Sequence, residues 1–163
     1  MERFRQLVMS AVASGEAYIA APDGSAPPDR ELACGWRQER VPQRPRWEDA
    51  NESQFQWRAR GPCIGWLGTT KADNDTGTYI YLEPAASYKA AARMAADGNG
   101  IEVGVSTLKR RFREAKLLVS TDKAHETITV RRTLQGASKD VLHLNLDFLN
   151  LGTDEEQAGD NDL

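Results

Sequence analysis

Apolar positions follow three different patterns along the chain. In the first stretch, Phe4, Leu7, Val8, Ala11 and Val12 recur at the spacing of one helix face, and Ser14-Gly15 supplies a stop. Residues 2–14 are therefore predicted to be a helix with one buried side. From about 16 to 83 the helical period disappears. Short apolar runs (Ala17–Ala20, Cys34–Arg37, Gln54–Arg58, Cys63–Leu67 and Thr78–Leu82) alternate with turn-forming clusters at 22–28, 41–45 and 71–77. They read as short strands joined by loops. Within Gln54–Arg58, Phe55 and Trp57 alternate with polar neighbours, the pattern of a half-buried antiparallel strand.

The helical signal returns at Pro84, which suits a first helical turn because its missing N–H has no partner there anyway. Residues 85–97 are rich in alanine and predict a second helix, ended by Gly98 and Gly100. Ser106 is a good N-cap for a third helix over 107–118. On a helical wheel Leu108, Phe112 and Ala115 form its buried stripe, and Ser106, Lys109, Arg110, Arg113 and Glu114 lie opposite. A loop at 119–124 leads to an alternating strand at 127–133. A turn at 134–140 around Gly136 and a returning strand Val141–Asn145 complete a β-hairpin.

The order helix, strand, helix, helix, hairpin predicts an α+β fold of the winged helix-turn-helix type. Its first strand is 79–82, and a Trp-rich β insertion at 16–78 separates that strand from the first helix. One domain is expected over 1–149, with 79–146 as helix-turn-helix plus wing, followed by a disordered acidic tail at 150–163. Cys34-Gly35-Trp36 and Cys63-Ile64-Gly65-Trp66 look alike but are too short to establish a repeat.

The same residues carry a family resemblance. Val105–Leu118, Ser120–Asp122, Thr129–Leu134 and Asp140–Leu144 resemble the C-terminal module of bacterial phage and mobile-element primase-helicase proteins. Gly35-Trp36-Arg37, Ile64-Gly65-Trp66 and Tyr81–Pro84 resemble upstream parts of that module, so the resemblance spans roughly 4–146. It implies a DNA-binding accessory domain of a replication system, in a family where the module follows a P-loop ATPase. This chain has no G-x-x-x-x-G-K-[ST] run. The expectation is an appended module without its motor, with a separate P-loop replication ATPase as a partner. The family's arginine-rich wing tip is replaced here by residues 135–140, with one base and one acid, which argues against a phosphate grip by the wing.

Composition adds boundaries. The 163 residues are 40% hydrophobic, enough for a core, and no apolar run approaches the roughly 18 residues of a membrane span. The N-terminal segment lacks the apolar centre of a signal peptide. Two cysteines make no disulfide framework, so a reducing, cytoplasmic setting is expected. The net charge of −3 speaks against nucleic acid until it is divided by segment. Residues 104–140 hold nine bases and four acids, whereas 147–163 hold six acids and no base. The chain is a near-neutral body with a basic block and an acidic tail.

A helix fits the major groove and reads bases chiefly from its N-terminal part. Ser106, Thr107, Lys109, Arg110 and Arg113 are thus the candidates for contact with DNA, double-stranded rather than single-stranded. Lys123, Arg131, Arg132 and Lys139 are candidates for flanking backbone. The competing reading is a merely solvated charged face. Trp36, Trp47, Trp57 and Trp66, interleaved with arginines, form either a stacking groove for single strands or the core of a small sheet. The core reading is favoured, with Trp47 the exposed one. Cys34, Cys63, His125 and His143 lack zinc-site spacing and read as structural thiols and surface imidazoles. Asp73–Gly77 resembles a calcium loop without its distant glutamate and reads as a turn. No catalytic residue, metal or cofactor is expected, and no enzyme. The alternative to DNA binding is a protein-interaction module that docks a replication ATPase through the Trp-rich insert, without touching DNA. The acidic tail either competes with DNA for the basic helix or only solubilises.

Overall fold

Helix α1 (Glu2–Ala13) buries Phe4, Leu7, Val8, Ala11 and Val12, the five side chains its period selects. The computed structural model describes residues 1–41, 55–72, 75–96 and 100–151. Trp47, Asp73 and Asn74 of the turn expected at Asp73–Gly77, and the acidic tail from 152 onward lie outside the described residues. After α1 come β1 (Tyr18–Ala20), β2 (Arg37–Arg40), β3 (Phe55–Arg58), β4 (Cys63–Ala72) and β5 (Asp75–Leu82). Then follow α2 (Pro84–Met94), α3 (Val105–Glu114), β6 (Leu118–Ser120), β7 (Val130–Leu134), β8 (Ala137–Asn145) and a 3-10 turn at Leu146–Leu149.

The fold is mixed α+β, with three helices and a mixed six-stranded sheet ordered β1-β4-β5-β8-β6, to which β7 is added on β8. Strand β1 runs parallel to β4, and the other pairs are antiparallel. Strands β2 and β3 form a separate two-stranded ribbon.

Side chains alternate between the faces of a strand, and here both faces are covered. Ile19, Leu67, Ile80, Leu82, Leu142 and Leu144 join the helices in one core. Ala20, Trp66, Tyr81, Val130, Leu134 and Val141 form a second cluster. That two-sided burial explains why Val141–Leu144 is fully buried rather than alternating. A register row crosses the second face: Ala20 beside Trp66, Trp66 beside Tyr81, Tyr81 beside His143, and His143 beside Ser120. The β7–β8 turn is tied back to the chain after β1, since the Gln135 amide donates to the Pro22 carbonyl at 2.8 Å.

Several sequence expectations shift. Strands β4 and β5 run to Ala72 and from Asp75, so residues 71–72 and 75–77 of the expected turn are strand. Cys34 and Gly35 lie in a turn rather than a strand. Gly35 has φ +91°, and a Cβ there would stand 2.4 Å from the Ala17 carbonyl oxygen, so the position requires glycine. The hairpin turns on two residues, not seven. Gln135 and Gly136 both have positive φ, as tight turns matched to strand twist demand, and this frees Ala137–Asp140 to pair with β7. Strand β6 replaces the end of the predicted third helix and the start of the loop at 119–124. Lys116, at φ +56°, breaks the helix, and Leu118 and Ser120 then pair with β8. Packing also continues past 149. Leu151 is buried, and Arg30 donates to its carbonyl at 2.8 Å.

Candidate nucleic-acid interface

Helix α3 begins after Gly104, whose extended backbone makes it the N-cap. Ser106, expected in that role, lies inside the first turn, and no side chain caps the helix. Leu108 and Phe112, four residues apart, are its buried pair. The Phe112 ring meets Phe4 edge-on at 5.9 Å and Phe148 at 5.3 Å, so α3 is bolted to α1 and to the C-terminal turn. Ala115, predicted in the buried stripe, is exposed at the C-cap, because the chain turns away at Lys116.

Of the candidates on α3, Ser106, Arg110 and Arg113 are exposed, and Thr107 and Lys109 are half-buried. Arg110 reaches Glu114 at 3.7 Å, with both side chains largely in solvent, so the pair is weak. Arg111 is also exposed. The wheel missed it because it flanks Ala115, and with Ala115 out of the core the cationic face widens to include it.

The other four candidates divide. Lys123 is exposed on a turn organised by Asp122, whose carboxylate accepts from the Ala124 and His125 amides and meets the His125 ring at 2.8 Å. That bond to His125 holds the Asp122 pKa below its ordinary value. Arg131 is exposed but paired across the hairpin with Asp140 at 3.2 Å. Arg132 lies with its guanidinium 5.7 Å from the Tyr81 ring centre, on the second face of the sheet. Lys139, its direct cross-strand neighbour, is half-buried. Arg132 and Lys139 are thus partly engaged with the sheet rather than displayed beside α3.

Of the aromatic and thiol candidates, Trp66, Trp36 and Cys63 pack on the second face, Cys34 lies in the helix-side core and Trp57 on the ribbon. Trp66 is buried, and its Nε1 finds no hydrogen-bond partner among the described residues. Half-buried Trp36 donates from Nε1 to the Ile19 carbonyl at 2.8 Å and meets the Tyr18 ring edge-on. Trp57 is half-buried on the ribbon, but Phe55, read as its half-buried companion, is 61% exposed. Cys34 is buried, and burial pushes the half-buried Cys63 thiol up in pKa.

His125 is exposed, as expected of a surface imidazole. His143 is not, being 4% exposed. Its ring stacks on Tyr81 at 5.0 Å, meets Tyr79 at 4.8 Å and shares a 2.7 Å hydrogen bond with the Ser120 hydroxyl. The sequence shows only that His143 sits between Leu142 and Leu144 in an apolar run; its burial follows from the covered second face of the sheet.

Among the described residues no group of three His, Cys, Asp or Glu side chains is arranged to hold a metal, and no helix is long and apolar enough to cross a membrane. No protein-family model, curated protein or solved structure matches the chain.

Proposed function

We propose that the chain is a nucleic-acid-binding accessory domain of the winged-helix type that lays α3 in the major groove of duplex DNA. The observation that carries this reading is the division of α3. Leu108 and Phe112 fix one side in the core, while Ser106, Arg110, Arg111 and Arg113 stand in solvent on the rest. The element order supports it. In chain order α1, β5, α2, α3, the β6–β7 segment and β8 occur, with β8 lying between β5 and β6, which is the order the winged-helix reading calls for. Ser106 and Thr107 lie in the first turn, where a recognition helix approaches base edges. Arg110 and Arg113 offer two-pronged contacts to guanine or phosphate. The hairpin plays a smaller part, because Arg131 is paired with Asp140 and Arg132 lies over Tyr81. The resemblance to primase-helicase modules makes the setting a phage or mobile-element replication system, with a P-loop ATPase as the partner such a module serves.

Fluorescence anisotropy with a labelled duplex, at low and at physiological salt, tests the reading. Binding is expected at low salt and falls as salt rises. The double variant Arg110→Ala with Arg113→Ala is expected to weaken binding and to lower the salt slope by about one for each phosphate that is no longer neutralised. No duplex binding at low salt, or unchanged binding by the double variant, refutes it.

A further inference from the structure

The β2–β3 ribbon stands outside the main sheet, and its two faces differ in kind. Directly opposed residues of an antiparallel pair share a face. The register therefore sets Arg37, Glu39, Gln56 and Arg58 on one side and Gln38, Arg40, Phe55 and Trp57 on the other. The first side is tied down. Arg37 donates to the Ala13 and Trp36 carbonyls, and Glu39 receives Arg58 at 3.6 Å and Arg60 at 2.9 Å. The second side faces solvent. Phe55 is the most exposed large apolar side chain among the described residues, ahead of Leu32 and Val119. Half-buried Trp57 lies two positions along the same face, a strand spacing of roughly 6.5 Å. Exposed Arg40 is directly across from Phe55.

The charge on this element selects the occupant. Arg37, Arg40, Arg58 and Arg60 stand against Glu39 as the one acid of residues 37–41 and 55–60, so an anionic partner is favoured. An exposed Phe55 and a half-buried Trp57 beside the Arg40 guanidinium suit an anion that also offers flat π faces. Unpaired nucleobases meet both demands. A duplex keeps its base faces inside the stack, and an acidic peptide supplies charge without planes. We propose that this face of the ribbon binds single-stranded nucleic acid, with bases stacking on Phe55 and Trp57, Arg40 beside them on the same face, and the net positive charge of the ribbon drawing the phosphates. The site is separate from α3 and stands whether or not α3 binds duplex.

The test measures anisotropy of a labelled oligothymidylate, an abasic oligomer of equal length and a duplex against the full chain at low salt. Phe55→Ala is the informative variant, because an exposed side chain is removable without harm to the core, as a thermal melt verifies. It is expected to lose about tenfold or more in affinity for oligothymidylate and to leave duplex affinity unchanged. Phe55→Tyr is expected to restore binding. Arg110→Ala with Arg113→Ala is expected to leave the single-strand result intact, which separates this site from the one on α3. The proposal is overturned by failure of the unaltered chain to bind oligothymidylate, by equal affinity for the abasic oligomer, or by an unchanged affinity in Phe55→Ala. Dissociation of a self-associated species by Phe55→Ala in sedimentation velocity, without loss of oligomer binding, overturns it in favour of a protein contact.

Discussion

Acid is predicted to weaken the sheet through His143 over a defined pH window. The imidazole is enclosed by Tyr79 and Tyr81 from β5 and by Ser120 from β6, and Arg132 of β7 lies over the adjoining Tyr81 ring. None of these groups is a carboxylate. Burial first, and the Arg132 charge second, hold the His143 pKa below its ordinary 6.5. The folded chain thus keeps the ring neutral while the unfolded chain protonates it near pH 6.5. Between the folded value and 6.5 the unfolded state carries more protons, so stability rises with pH in that window and is level above it. The contribution is complete above 6.5 and is lost as pH falls through the folded value, at up to about 1.4 kcal/mol per pH unit. Urea unfolding followed by tryptophan fluorescence from about pH 5 to about pH 8 reads this directly. His143→Asn keeps a hydrogen-bonding group for Ser120 but does not titrate. It is expected to cost about 1–3 kcal/mol at neutral pH, because no ring then packs on Tyr79 and Tyr81, and to flatten the slope. His125 is common to both chains and drops out of the comparison. Asp23 and Asp122, whose pKa values are lowered, lose their contributions only as pH falls below 3.8, outside the window. Parallel pH profiles for the two chains, or a level profile in the unaltered one, refute the reasoning.

Two further substitutions test the supports of the candidate interface. Phe112→Ala removes the ring held between Phe4 and Phe148. It is expected to cost about 3–5 kcal/mol and to lower the melting temperature on the order of 10 °C, measurable by calorimetry; a loss below about 1 kcal/mol refutes the anchor role of this residue. Gly24 has φ +91°, and a Cβ there would come 2.6 Å from the Gln135 side-chain amide. Gly24→Ala is expected to cost about 1 kcal/mol and to speed hydrogen exchange at the Gln135 amide, while exchange in α1 keeps pace only with the global loss; unchanged Gln135 protection shows that the tie to Pro22 does not hold the hairpin.

Legibility in the sequence followed the length of each periodic signal. The α1 face was fully readable because five apolar residues repeat over three turns. Pro84 fixed the start of α2, but Glu83 was not readable as its cap, although its carboxylate accepts from the Ala86 amide at 2.6 Å. Strand β6 was illegible because Leu117, Leu118 and Val119 extend the apolar run of α3, and only the left-handed turn at Lys116 separates them. No local pattern announces that a lysine will take that conformation. The cationic residues were legible as charge but not as orientation. Arg131 and Arg132 are neighbours in sequence, yet strand alternation sends one to Asp140 and solvent and the other over Tyr81. Burial of His143 depended on a second covered sheet face, which is a tertiary fact. Phe55 was misread for the converse reason, since an alternating strand implies a covered face only when something packs upon it.

The segment between α1 and β5 is part of the structural body, and this sets a last prediction. On the helix side of the sheet Ile19, Ile64 and Leu67 are buried with Ala17, Ala33 and Cys34, and on the other side Ala20 and Trp66 close on Tyr81. At about 1.5–3 kcal/mol for each fully buried large aliphatic side chain, Ile19, Ile64 and Leu67 alone contribute on the order of 5–9 kcal/mol. That is comparable with the whole net stability of a typical domain, about 5–15 kcal/mol. Strand β5 would also lose the neighbour with which it pairs from Gly65 to Ala72, keeping only the four pairings from Tyr79 to Leu82 with β8. The piece comprising residues 79–151, although it holds α2, α3 and the hairpin, is therefore expected to show no cooperative thermal transition and little dispersion in its amide spectrum. The chain from 1 to 151 should melt as a unit. A sharp, reversible transition in the shorter piece would mean that the helices and hairpin form an independent body and that β1 and β4 only decorate it.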